Sequence, residues 1–290
     1  MSLPSYATTL NSESLISLAN SEQQTQVSRQ DLQAGVEKAQ AQAEKEAQSL
    51  LDQEAITAVA ETEKAIAAIE AGKTSEALQA LERATGKLDI LLARNPQLGL
   101  VPISSTVEII DVAPKDELSL KEFRRQLKSA INAENYTAAR EILDNLMSEV
   151  RTKTVNLPLA TYPDAMKEAA RLLDNNQPEA AKQVLEVALS TLVITEKSRP
   201  IPIINAQTHL LGAIAAAPID KENSVRLLEI ARKEIKLAKD LGYAGNAREY
   251  AELDKTIKDI EKKIRANTDV TDVLAKLEDK LGNFLNRISA

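Results

Sequence analysis

Apolar positions step by threes and fours through most of the chain. From Asp31, the residues Val36, Ala39, Ala43, Ala47, Leu50, Leu51, Ala55, Val59, Ile66 and Ile69 fall on one stripe. The pattern predicts a single long amphipathic helix reaching Ala71, with Gly35 near its start. Such a helix spans about 60 Å at ~1.5 Å per residue, longer than a typical domain is wide. Its stripe is largely Ala, which permits close approach but buries little, so it needs a partner. Gly72-Lys73 ends it, because Gly tolerates a left-handed C-terminal turn. Thr74 is expected to cap a second helix, Ser75 to Ala93, carrying Ala77, Leu78, Leu81, Leu88 and Leu91.

This helix–turn–helix unit recurs twice. A helix from Leu120 to Ala133 turns at Glu134-Asn135 into one from Thr137 to Val150. A helix from Tyr162 to Leu173 turns at Asn175-Asn176-Gln177, with Pro178 opening a helix that runs on to Ile194. Overlaying the turns aligns Ala77, Ala139 and Ala181, and likewise Leu81, Leu143 and Leu185. The small residue lets two helices approach and the Leu fills the seam. Offsets of 62 and 42 residues between units exclude a fixed-period solenoid.

Three stretches between the hairpins are not helical. Asn95 to Glu117 holds Pro96, Gly99, Pro102 and Pro114 around a β-branched run, Thr106 to Val112, that reads as a short strand. Arg151 to Leu159 alternates and is extended up to Pro158. Arg199-Pro200-Ile201-Pro202-Ile203-Ile204 is extended or turned, since residues before Pro avoid the helical region. Beyond it the chain reads as helical: Ile204 to Ala217, then Glu222 to Leu241 ending at Gly242. After Gly245-Asn246, two runs stepping 4-3-4 follow, Leu253 to Ile264 and Val270 to Ile288. Their phase breaks at Asn267-Thr268-Asp269, which marks either a new helix or a stutter.

The expected fold is therefore mainly all-α: helical hairpins around one core, a long N-terminal helix and a short two-stranded β element. Residues 1–30, rich in Ser, Gln, Asn and Thr, read as a polar mobile tail; 31–217 form the main helical domain, and 218–290 a C-terminal helical extension packing on it rather than forming a dimer seam.

Composition narrows the chemistry. With no Cys and one His, the chain holds no disulfide framework, thiolate metal site, cysteine nucleophile or multi-histidine metal site within one copy. No cofactor is expected. The net charge of −7 argues against nucleic acid as a partner. That charge belongs to residues 1–90, with 7 basic and 14 acidic residues, while 91–290 hold 29 of each. A charged functional surface should then be the exposed face of the long helix, facing basic partners. No apolar run reaches the ~20 residues of a membrane-spanning helix. The N-terminus has no basic start or apolar stretch of a secretory signal, which implies the cytoplasm if it is native and the periplasm if a signal has been removed.

Gly72-Lys73-Thr74 resembles the end of a phosphate-binding loop, but Ala67 stands where that loop needs Gly, and a helix precedes it. His209 has no acid three or four residues away to orient it, so a packed or surface histidine is the simpler reading.

The segment Thr154 to Ala165, continuing to Ile194, resembles the YfdX family of bacterial proteins. The residues that carry the resemblance are Ala139 and Leu143, then Leu157-Pro158-Leu159, then Ala169, Leu172, Leu173, Ala180, Ala181 and Leu185. It extends over residues 35 to 217. The resemblance implies a helical protein linked to acid or drug stress, often periplasmic, with no established reaction and no functional residues to carry over.

The function expected is non-enzymatic: binding of a partner protein or an apolar small molecule, with homo-oligomers formed through helices. The alternatives are a chaperone-like holdase, or an enzyme built around His209 and distant acids. The candidate groove comprises Pro102, Leu157, Pro158, Leu159, Tyr162, Pro200, Pro202 and His209.

Overall fold

The structure is a computed structural model that describes residues 27–243 and 247–288. In chain order the elements are α1 (Arg29–Leu50), α2 (Gln53–Glu70), α3 (Thr74–Arg94), β1 (Leu100–Asp111), α4 (Glu117–Asn132), α5 (Tyr136–Asp144) and β2 (Ser148–Pro158). There follow α6 (Tyr162–Asp174), α7 (Pro178–Ser190), β3 (Val193–Pro200), α8 (Ile201–Ala216), α9 (Lys221–Asp240), α10 (Ala247–Arg265) and α11 (Thr271–Ile288). The protein is mainly α-helical, with one three-stranded antiparallel sheet in the order β1-β2-β3.

The chain forms two compact units that interleave along the sequence. One comprises residues up to 39, 110–150 and 198 onward; the other comprises 40–109 and 151–197. Each strand begins in one unit and ends in the other. Residues 1–26 of the polar tail fall outside the described residues, and α1 already begins at Arg29 within its last four.

Four expectations need correction. The long helix is two helices, because Asp52 adopts an extended backbone and its carboxylate accepts from the amides of Glu54 (2.9 Å) and Ala55 (3.1 Å) to start α2. Its own amide donates to the Pro102 carbonyl at 3.0 Å, which holds the break against β1. The helix expected to reach Val150 stops at Asp144, and the chain returns as β2, with the Val112 amide donating to the Met147 carbonyl at 3.0 Å. The helix expected to reach Ile194 stops at Ser190, and β-branched Val193-Ile194-Thr195 opens β3, so the sheet has three strands rather than two. Finally α8 begins at Ile201, directly after Pro200, with Pro202 in its first turn.

In the second unit, α2–α3 and α6–α7 are like hairpins that pack on each other: α3 lies against α6, and α2 against α7. Their core contains Ala77, Leu81, Ala181 and Leu185, all at most 1% exposed. The three hairpin turns are built alike. Gly72, Glu134 and Asn176 have φ of 69°, 54° and 55°, and the next residue's amide reaches back five residues, from Lys73 to Ala68, Asn135 to Ala130 and Gln177 to Leu172. This is a Schellman ending, so the sequence register of the three hairpins is a structural register. The expected cap Thr74 lies inside α3; Lys73 is its N-cap and makes no side-chain capping bond.

In the first unit, α8 and α9 form an antiparallel hairpin, with α10 packed on α9 and α11 on α8. The 4-3-4 positions Leu253, Ile257, Ile260, Leu274, Leu277 and Leu281 are each 1% exposed, so both seams are filled within the chain. The phase break is a helix end: Asn267 has φ 58° and α11 starts afresh at Thr271. The start of α1 approaches α8 at Gly35, where an added Cβ would lie 2.7 Å from Thr208 Oγ1. No described helix is long and apolar enough to cross a membrane.

Candidate functional site

The residues singled out from sequence fall into both units. Pro102, Leu157, Pro158, Leu159 and Tyr162 belong to the unit built on the paired hairpins; Pro200, Pro202 and His209 belong to the other. Within the first group the β1–β2 register brings residues together. The Leu159 amide donates to the Gly99 carbonyl at 3.0 Å, and this antiparallel pairing puts Pro102 across from the Asn156-Leu157 region. Leu157 (0% exposed) and Leu159 (3%) belong to the hydrophobic core, while Pro102 and Pro158 are half-buried. These residues seal the end of the sheet onto the hairpins.

Tyr162 has a second role. Its ring is buried, and its hydroxyl donates to Thr62 Oγ1 at 3.0 Å; the Thr62 hydroxyl donates in turn to the Ala58 carbonyl at 2.8 Å. Burial pushes the phenol up to about 12, opposed by the bond to Thr62 and reinforced by the nearby Glu63 charge, so it stays a neutral donor at physiological pH. The other edge of the ring borders an open groove of about 410 Å³ between α6 and α7. Ala165 and Leu172 of α6 and Ala180, Val184 and Val187 of α7 form its walls, with Thr161, Gln183 and Thr191 as polar groups at the border.

This groove was legible only in part. One stripe of α7, Ala181, Leu185 and Ala188, enters the core, and a second stripe, Ala180, Val184 and Val187, repeats on the adjoining face. Val187 is 61% exposed. An apolar residue count above what one core face needs is the signal the sequence carries for it.

A second recess of about 430 Å³ lies at the α2–α3 turn, floored by Ala67, Ala68, Ala71 and Ala80 and rimmed by Lys64, Lys73 and Arg83. Its cations are already matched. The buried Glu61 carboxylate accepts from Lys64 Nζ at 2.6 Å and Arg83 Nε at 2.7 Å, and Lys73 pairs with Glu76. The Lys64 bond, chiefly, holds Glu61 below the usual carboxylate range against the opposing effect of burial. Gly72-Lys73 is the turn between two helices here, not a strand-to-helix phosphate loop.

In the other unit, Pro200 is the N-cap of α8 and Pro202 lies in its first turn, both buried. His209 follows on the same helix, 5% exposed, with Nδ1 buried and lacking a hydrogen-bond partner among the described residues. Burial lowers its pKa, so the ring is neutral at pH 7. One turn earlier, Asn205 hydrogen-bonds Glu234 of α9, whose carboxyl is raised chiefly by burial. Asp111 adds to that rise, while Asn205 and Lys115 oppose it. No cluster of three metal-ligating side chains occurs among the described residues.

The family model described as YfdX protein matches residues 58–198. That stretch of the chain belongs to the YfdX family. It takes in the three hairpins from the middle of α2 onward, the groove and most of the sheet, and is narrower than the 35 to 217 read from sequence. Among solved structures, Salmonella Typhi YfdX is similar at 14% identity and a TM-score of 0.36, over 51% of this chain and 91% of that one. No curated protein matches the chain.

Proposed function

We propose that this YfdX-family protein acts by binding rather than by catalysis, and that the α6–α7 groove takes an apolar small molecule. The observation that carries this is the second apolar stripe of α7, left open beside Tyr162. A pocket of about 410 Å³ lies within the ~300–1,000 Å³ that enclose small ligands, and its walls are apolar with a few polar groups at the edge. The fixed Tyr162 ring supplies a rigid flank. The family resemblance supports placing such binding in a stress response.

The test is titration of an apolar fluorescent probe, N-phenyl-1-naphthylamine, into the full chain. We expect saturable binding, weakened at least tenfold by Val187→Asp, which alters an exposed position, and by Ala180→Trp, which fills the groove. Absence of saturation, or equal binding by both variants, would overturn the reading.

A holdase is the second reading, supported by large apolar side chains left on the surface, among them Leu118 (80% exposed), Tyr136 (69%) and Ile194 (65%). It expects suppression of a model client's thermal aggregation beyond that of an inert acidic protein at equal concentration.

A further inference from the structure

An open recess of about 560 Å³ lies between the start of α9 and the end of α10, in the first unit and outside the residues 58–198 that the family model matches. The buried side chains of Val225 and Ile264 form its apolar part. Around them stand three cations, Lys221, Arg226 and Arg265, and two acids, Glu222 and Glu229. The acids do not cancel the cations pair by pair. Arg265 is matched by Glu229 at 3.0 Å. Lys221 and Arg226 hold no ion pair among the described residues, and each is met instead by a neutral amide oxygen. Lys221 Nζ donates to Asn267 Oδ1 at 2.7 Å, and Arg226 donates from Nε (3.2 Å) and Nη2 (2.7 Å) to Asn223 Oδ1. An amide oxygen fixes the direction of a cation without neutralising it.

Both amides are themselves anchored. Asn267 has φ 58° and closes α10, where the Thr268 amide donates to the Lys263 carbonyl at 3.0 Å. Asn223 is buried in the first turn of α9, and its backbone amide donates to Asp220 Oδ1 at 2.9 Å. Two charges are thus set in place at one cavity with donors to spare. Of the five N–H groups of Arg226 two are used, and of the three on Lys221 one is used.

We propose that this recess binds a small organic anion, its charged head on Lys221 and Arg226 and its apolar body over Val225 and Ile264. The head gains charge-assisted hydrogen bonds there without breaking an ion pair. The volume suits a small ligand, within the ~300–1,000 Å³ of such sites. Glu222, exposed and without an ion pair among the described residues, is the opposing charge of the lining and sets a limit on affinity.

The fluorescent probe 8-anilino-1-naphthalenesulfonate is N-phenyl-1-naphthylamine with a sulfonate added, so the two probes separate this site from the α6–α7 groove. We titrate the sulfonate into the full chain carrying Val187→Asp, which disables that groove. Saturable binding is expected, weakening as ionic strength rises. Lys221→Gln and Arg226→Gln together, both at exposed positions, should lower the affinity at least tenfold with an unchanged far-UV circular dichroism spectrum. Glu222→Gln should raise it about threefold, the scale of an exposed charge contact. Binding of the neutral probe to the chain with Val187 intact should not change with any of the three. Sulfonate binding indifferent to the paired glutamines or to salt would overturn the proposal, as would an equal loss of the neutral probe. If the neutral probe finds no groove, the anion site stands or falls on the sulfonate titration alone.

Discussion

Leu185 and Leu143 occupy the same place in two hairpins built on the same turn, and differ by half their surface. Leu185 is sealed at 0% exposed in the pairing of α6–α7 with α2–α3, while Leu143 stands half in solvent on α4–α5. Local sequence made both hairpins; only the presence or absence of a facing hairpin made one of them a core. The difference teaches that an amphipathic stripe states a need for burial without saying where the cover comes from.

The sharpest way to break the comparison is to truncate both leucines. Leu185→Ala should cost about 2–5 kcal/mol by leaving a cavity in a packed core, whereas Leu143→Ala should cost less than about 1 kcal/mol at micromolar protein or below. Urea unfolding measures both, and equal losses would show that exposure at Leu143 is not what separates the hairpins.

Next in size is the buried hydroxyl pair. Thr62→Val leaves the Tyr162 hydroxyl without its acceptor inside the paired hairpins, at a cost of about 1–3 kcal/mol. No such buried donor chain links α4 to α5 in the hydrogen bonds of the described residues, and the denaturation midpoint of Thr62→Val should drop with the slope unchanged.

Acidification separates the two units through opposite carboxyls. Glu61, held below the usual range, contributes stability that is present above the ordinary Glu value and is lost as pH falls through its lowered pKa. Glu234, raised by burial, does the reverse: stability rises as pH falls through its raised pKa toward the ordinary value. We expect Glu61→Gln to destabilise the protein by about 1 kcal/mol at pH 7 and to lose that effect in acid. Glu234→Gln should be neutral or stabilising at pH 7 and flatten the acid-side gain. Thermal unfolding between pH 3 and pH 7 reads both signs.

The smallest effect lies in the turns. Glu134 holds a left-handed conformation that Gly72 adopts without strain at the matching position. Glu134→Gly should stabilise α4–α5 by up to about 1 kcal/mol, and Gly72→Ala should cost a similar amount; hydrogen exchange of the two turns would resolve them.

Much of the architecture was legible from periodicity and punctuation. The three hairpin turns, their common register and the helices from Ile204 onward follow from apolar spacing with turn residues at the right places, while Asn267 left a helix end and a stutter both open. The break at Asp52 was also written in the sequence, as an acid at an N-cap with Glu54 in the first turn, but a continuous apolar stripe outweighed it. The strands Ser148–Val150 and Val193–Pro200 were lost for another reason. Ser148 to Val150 prolong the apolar spacing of α5 and Val193-Ile194 follow α7 directly, and it is pairing with strands distant in sequence that recruits both to the sheet. The α6–α7 groove shares only Tyr162 with the residues that the sequence singles out. Pro102 and the Leu-Pro-Leu element read as irregular backbone in the sequence, and they lie where the sheet closes on the core.

By itself the sequence determined the helices, their turns and the equivalence of the hairpins, because capping, left-handed turn residues and apolar spacing act within a few residues. It also determined that the chain, with no Cys and one His, forms no disulfide, thiolate or multi-histidine site within one copy. Tertiary structure alone decided which stripes became core, which stayed open as the α6–α7 groove or the α4–α5 face, and which carboxyls were pushed up or held down. Burial and charge proximity are properties of what lies opposite a residue, and what lies opposite is set by chain segments far away in sequence.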